Sequence, residues 1–285
     1  MDSHAPTLFL HGGPGLSAIA ERALYGLALP IHWWDQPRSV VLFARPFAAL
    51  VDAAQEEVER LARAYSQPVN LVAHAFGAHL ALRLAMRLPN RLGKIVLLAP
   101  VYDLADAFVR FATCLCLKDQ SYEPFLVALD EFRASRDVSR FAKVAAQIAS
   151  IASFVDLSWS PGASASRHWY VNLLAHQPVF DLNTFEVVVK DFLLEDPIPM
   201  ATTVADSVHL ILGKKDPFTD IKAESRIWAE VFPNAVSYLV DSGHFVHLER
   251  ASEVWWKTRE GAWSVERTSN SAFASRNENL NRKGS

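Results

Sequence analysis

The feature that most constrains this chain is a switch of hydrophobic period that repeats along its first hundred residues. Short apolar runs rich in β-formers, Thr7 to Leu10, Ile31 to Trp34, Val69 to Ala73 and Ile95 to Leu98, alternate with stretches of helical spacing. Between the second and third runs, "LVDAAQEEVERLARAYSQP" puts Leu50, Ala54, Val58, Leu61 and Ala62 on one face and its charges on the other. Near-continuous apolar strands separated by amphipathic helices predict an α/β fold, with a mostly parallel sheet covered by helices on both faces.

The rhythm breaks after Pro100. Segments such as "YEPFLVALDEFRASRD" and "VSRFAKVAAQIASIASFVDL" are helical in pattern and rich in aromatic residues, without strand character. "VHLILGKKDPFTD" and "AVSYLVDSGHFVHLE" then restore the strand-and-loop alternation, with "KAESRIWAEVF" as the helix between them. The expected organisation is a first core segment at 1–100, a helical cap at 101–203, and a second core segment at 204–263. A polar tail rich in Ser and Asn at 264–285 has no hydrophobic period and is expected to be flexible. With 285 residues, 51% of them hydrophobic, the chain can bury one large core under such a cap.

Charge and composition exclude several classes of partner. The formal net charge is -3 and no run of Lys and Arg tracks a phosphate backbone, so nucleic acid is not an expected partner. No apolar stretch reaches the roughly 18 residues of a membrane span, and the N-terminus lacks a signal-peptide pattern. A cytoplasmic location without membrane attachment is the expectation. The two cysteines, Cys114 and Cys116, would project to different sides of a helix, which argues against a mutual disulfide. They offer too few ligands for a metal, and neither metal nor cofactor is expected. Nothing in the sequence sets an oligomeric state.

The chemistry concentrates in "NLVAHAFGAHLAL", Asn70 to Leu82, which has the pattern of a buried strand, a tight turn and a helix start. This is the context of a nucleophile elbow of the form G-x-S-x-G. The flanking small residues are Ala73 and Gly77, and Ala75 stands where the serine belongs. A methyl group carries no proton for a base to remove and attacks nothing. "HGGPG", His11 to Gly15, follows the first strand upstream of this turn.

Together these motifs resemble the α/β-hydrolase superfamily, in its capped branch of proline iminopeptidases, esterases, epoxide hydrolases and carbon-carbon bond hydrolases. The resemblance covers about residues 6 to 100 and 205 to 255. It implies one oxyanion-hole N–H from the HGGPG loop, at Gly13, and another from the residue after the nucleophile position, Phe76. It also implies a catalytic acid at Asp216, in "LGKKDPFTD", and a catalytic histidine at His244, in "VDSGHFVHLE", because nucleophile, acid and histidine follow that order in the family. Asp220, Asp241 and Asp103 are competitors for the acid role. His247, His74, His79 and Asp35 are expected to be structural. The cap aromatics Trp159, Trp169, Tyr170, Phe180 and Phe185 are candidates to line an acyl pocket, with cap core as their ordinary role.

Departures from the family pattern limit what it implies. The strand before HGGPG is the first recognisable one, so two strands common in the family are expected to be missing or truncated. "AHAFGA" is closer to the esterase-like G-H-S-x-G-A form than to the G-S-W-G form of proline iminopeptidases. An aminopeptidase would also need acidic cap residues for the substrate amine, for which Glu186, Glu195 and Asp196 are the candidates. The resemblance implies a serine hydrolase of ester, thioester, lactone or amide bonds acting on a small-molecule acyl substrate, with acyl transfer or cyclisation as the alternative fate of the same acyl-enzyme. Ala75 leaves three readings open: an enzyme inactivated by replacement of its serine, a binding protein on a hydrolase fold, or a serine-free catalyst that uses His244 as a base.

Overall fold

The computed structural model describes residues 5–176, 180–195 and 208–254. Among the described residues six strands, β1 (Thr7–Leu10), β2 (Ile31–Trp34), β3 (Val69–His74), β4 (Leu92–Leu98), β5 (Val208–Gly213) and β6 (Ala235–Val240), form one sheet in the order β2-β1-β3-β4-β5-β6. Every pairing is parallel. β1 and β3 are buried along their whole length, whereas the edge strands β2 and β6 are only partly covered. β1, β2 and β3 begin where the apolar runs begin. β4 starts three residues before its run, at Leu92, because its backbone pairs with Val69 across a register shift and the Asn70 side chain accepts from the Lys94 N–H at 2.9 Å.

Alternate side chains feed two cores, as the two-residue strand period requires. Leu8, Leu10, Leu71, Ala73 and Leu97 belong to one cluster; Phe9, Val72, Val96, Leu98 and Ile211 belong to the other. The first is covered by α2 (Pro46–Tyr65), α3 (Gly77–Arg87) and α10 (Ile221–Val231), through Leu50, Val58, Leu84 and Trp228. The second is covered by α1 (Ile19–Tyr25) and α11 (Val246–Glu249), through Tyr25 and Leu248. On α2 the residues expected to face inward, Leu50, Ala54, Val58, Leu61 and Ala62, are all buried.

Between β4 and β5 the described residues are helical, in α4 (Leu104–Lys118), α5 (Glu123–Ser135), α6 (Val138–Ser150), α7 (Ala152–Leu157), α8 (Ser164–Ala175) and α9 (Leu182–Leu193). Cys114 and Cys116 are free thiols on α4. α9 is fastened to the core by a buried carboxylate. Asp191 accepts from the Phe47 N–H at 2.9 Å and from Arg45 Nε at 2.5 Å. Among the described residues no helix is long and apolar enough to cross a membrane. The polar tail expected at 264–285 lies outside the described residues.

Candidate active site

The turn after β3 holds Ala75 at φ 47°, in the left-handed region that a residue with a β-carbon enters only under constraint. Three contacts impose it. The Ala75 N–H donates to the Leu98 carbonyl of β4 at 2.9 Å, and the Ala75 carbonyl accepts from Ala78 N–H at 3.1 Å as α3 begins. Gly77 lies so close to the end of β1 that a β-carbon there would sit 2.5 Å from the Leu10 carbonyl oxygen. Only glycine fits, which explains why the second small residue of the motif keeps its glycine. Ala73 precedes the bend inside β3, fully buried, where a methyl group is accommodated. Phe76 stands at the N-cap of α3, where a backbone N–H has no partner within the helix.

The HGGPG loop closes over this turn. His11 Nδ1–H donates to the Gly12 carbonyl at 3.0 Å, which leaves Nε2 to accept from the Gln36 N–H at 3.3 Å. Burial holds the His11 pKa down, consistent with that neutral tautomer. A β-carbon on Gly12 would lie 2.5 Å from His74 Nδ1 and 3.3 Å from the Ala75 methyl, so the loop leaves room beside position 75 because residue 12 has no side chain. Gly13 follows at φ +56°.

Two loops at the ends of β5 and β6 meet beside the elbow. His244 Nδ1–H donates to Asp216 Oδ2 at 2.8 Å. The Asp216 side chain has no solvent exposure, and it also accepts from the Phe218 N–H at 2.9 Å and the Thr219 hydroxyl at 2.7 Å. With Nδ1 committed to the carboxylate, the neutral His244 ring keeps its lone pair on Nε2. His74, adjacent to Ala75, donates through Nε2 to the His244 carbonyl at 3.0 Å, and the two rings are 4.9 Å apart. Burial together with the neighbouring His247 and His244 holds the His74 pKa well below its ordinary value, so this ring is an uncharged strut.

The competing acids are engaged elsewhere. Asp103 caps α4 by accepting from Asp106 N–H, Asp220 caps α10, and Asp241 pairs with Lys215 at the surface. Asp35 accepts from Ala18 N–H and Arg22, and His247 is buried against Glu21 at 2.8 Å. Among the described residues no group of three or more His, Cys, Asp and Glu side chains is arranged to hold a metal ion.

A strained strand-to-helix elbow after β3, a glycine-rich loop against it and a histidine–aspartate pair after β5 and β6 together define an architecture. Residues 4–255 match the model of the Alpha/beta hydrolase family. The chain belongs to the alpha/beta hydrolase family.

No curated protein matches this alpha/beta hydrolase-family chain. Solved structures similar to it include a proline iminopeptidase-related protein from Thermus thermophilus, at 21% identity and TM-score 0.63, covering 90% of each chain. A 2-hydroxy-6-oxo-6-phenylhexa-2,4-dienoate hydrolase from Rhodococcus sp. strain RHA1 is similar at 15% identity and TM-score 0.57, again over 90% of each chain. An enol-lactonase from Burkholderia xenovorans LB400 is similar at 14% identity and TM-score 0.58, over 90% of this chain and 91% of that one.

In this hydrolase fold the aromatic residues expected to share an acyl pocket divide between two cores. Trp159 and Tyr170 pack on Phe245 at ring separations of 5.0 and 5.1 Å, with Trp169 against the same cluster. Phe180 packs instead on Phe185 in the opposite cluster, at 5.4 Å. The sequence pattern could not separate them, because helical spacing does not say against which hydrophobic cluster a cap segment packs. The ring in contact with His244 on the cap side is Phe218, 4.7 Å away, itself stacked on Phe111 at 4.5 Å. Of the acidic cap residues, Glu195 is held by Arg83 and Arg45, Glu186 is partly buried on α9, and Asp196 lies outside the described residues.

Glu249 went unnoticed in the sequence. Its Oε1 accepts from the Gly243 N–H at 3.0 Å and the Ser160 N–H at 3.1 Å, while the His244 N–H donates to the Ser158 carbonyl at 2.8 Å. The histidine loop is thereby latched to the segment after α7. The available signal was a glutamate five residues after the histidine, in "HFVHLE", which looks like an ordinary exposed helix residue.

Proposed function

We propose that this chain carries the acyl-transfer site of a serine hydrolase from which the nucleophilic oxygen is absent. The observation that carries the reading is that Ala75 occupies the strained elbow at φ 47° while His244 and Asp216 keep their 2.8 Å contact. A strained turn that presents residue 75, beside a histidine oriented by a buried aspartate, is the arrangement such a site requires.

With serine at position 75, His244 Nε2 would take the Oγ proton as Oγ attacks the acyl carbon. The N–H groups of Gly13 and Phe76 would receive the negative charge on the acyl oxygen, and His244 would return the proton to the leaving group. Water, activated by the same histidine, would release the acid. The substrate class is an ester, thioester, lactone or amide small enough to lie between the HGGPG loop and the cap. As written, the chain binds such compounds and does not form an acyl-enzyme. Losing the nucleophile of such a triad costs roughly a factor of 10⁶ in kcat.

The test compares this chain with Ala75→Ser on p-nitrophenyl esters and acyl thioesters. A burst of released p-nitrophenolate stoichiometric with the serine form, and none from the alanine form, is the expected result. A folded serine form without turnover would refute the reading and favour a pure binding protein. Equal turnover by both forms would refute it in favour of serine-free catalysis by His244.

A further inference from the structure

Away from the elbow, a cavity of about 530 Å³ opens between α3, the start of α4 and the C-terminal ends of α5 and α9. Ala75, Gly13, Asp216 and His244 do not line it. His79 and Arg83, one turn apart on α3, do, and the rings of Tyr102, Phe132 and Phe192 form much of the remaining wall.

The polar atoms of this wall are unusually incomplete. His79 is only 2% exposed, yet neither ring nitrogen has a hydrogen-bond partner of normal geometry among the described residues. The Val101 carbonyl favours the protonated ring, but burial outweighs it and the Arg83 charge adds to burial, lowering the pKa to about 3. The ring is neutral and offers one N–H. Arg83 gives Nε and Nη2 to Glu195 at 3.3 and 2.6 Å; its guanidinium carbon lies 5.5 Å from the centre of the Phe47 ring, and its buried Nη1 has no hydrogen-bond partner among the described residues. A buried donor left unpaired is destabilising, and such groups in a folded protein call for a partner.

We propose that this cavity is a second binding site, independent of the elbow, for a small organic monocarboxylate with an aromatic or apolar body. One carboxylate oxygen takes the Arg83 Nη1–H and the other the His79 N–H, while Tyr102, Phe132 and Phe192 cover the body. Asp103, Asp106 and Glu195 line the same space together with Arg133 and Arg136, and Arg133 pairs with Asp106 at 3.0 Å. The bound body would rest on Phe192, whose ring is 4.4 Å from His79 and 5.3 Å from Phe76, one ring away from the elbow.

The probe is 4-fluorophenylacetate, followed by fluorine NMR titration of the full chain. Saturable binding is expected, weakened tenfold or more for the neutral 4-fluorophenylacetamide and by Arg83→Gln. Ala105→Trp, which fills the cavity from α4, is expected to weaken it as much, and it decides the matter should Arg83→Gln fail to fold. His244→Ala should leave binding unchanged. Absence of saturable binding, meaning that water alone serves these donors, would overturn the proposal. So would equal binding by both cavity variants, or loss of binding in His244→Ala, which would put the probe at the elbow.

Discussion

His244 Nδ1 meets Asp216 Oδ2 at 2.8 Å, and the aspartate is further fixed by the Phe218 N–H and the Thr219 hydroxyl. The carboxylate is therefore preorganised before any substrate arrives, with its remaining lone pairs directed at the histidine. The pair sets the tautomer that leaves His244 Nε2 free to accept a proton.

The consequence is testable in the Ala75→Ser background. Asp216→Asn keeps the shape but can donate where the carboxylate only accepts, so Nδ1–H loses its acceptor and the tautomer shifts. Ester turnover is expected to fall by roughly 10⁴, whereas substrate KM changes little. A steady-state comparison of the two serine forms measures it; a loss of tenfold or less would show that the pair is structural.

Glu249 gives a second prediction. It holds the Gly243 and Ser160 N–H groups with one oxygen. Glu249→Ala strands both donors beside the histidine loop and is expected to destabilise the protein by about 1–3 kcal/mol in urea unfolding. Glu249→Gln retains an acceptor oxygen and should lose less. Equal loss by both would mean that the charge, not the hydrogen bonding, matters.

A third prediction concerns pH. Glu224 is buried, and despite hydrogen bonds from the Tyr102 N–H and Trp228 Nε1–H, desolvation raises its pKa from 4.5 to about 7, with Asp216 and Asp103 adding to the rise. The folded state thus holds a proton that the unfolded state releases near pH 4.5. Its stabilising contribution is complete below about pH 4.5 and is lost as the pH climbs to about 7, roughly 3 kcal/mol in all. Urea unfolding of Glu224→Gln, compared with the parent chain at pH 5 and pH 8, should show the variant gaining relative stability at the higher pH. A constant difference between the two chains would contradict the assignment.

Much of this architecture was legible because the determinants are local. Four apolar runs mark strand positions, and the flank of small residues marks the elbow, since the bend demands Gly77 whatever lies around it. Asp216 and His244 could be located by their order along the chain. What escaped depends on approach in three dimensions. That Phe180 and Trp159 fall in different hydrophobic clusters is decided by where each cap segment docks. Glu249, and His74 as a strut beneath His244, act through backbone groups distant in sequence, and backbone partners leave no trace in composition or period.

The central claim, that a complete acyl-transfer site lacks one oxygen, is tested most directly by labelling with a fluorophosphonate and reading the intact mass. Ala75→Ser should gain one phosphonyl adduct, mapped to residue 75, while the chain with Ala75 gains none and Ala75→Ser combined with His244→Ala gains it far more slowly. A folded Ala75→Ser protein that stays unlabelled would contradict the account.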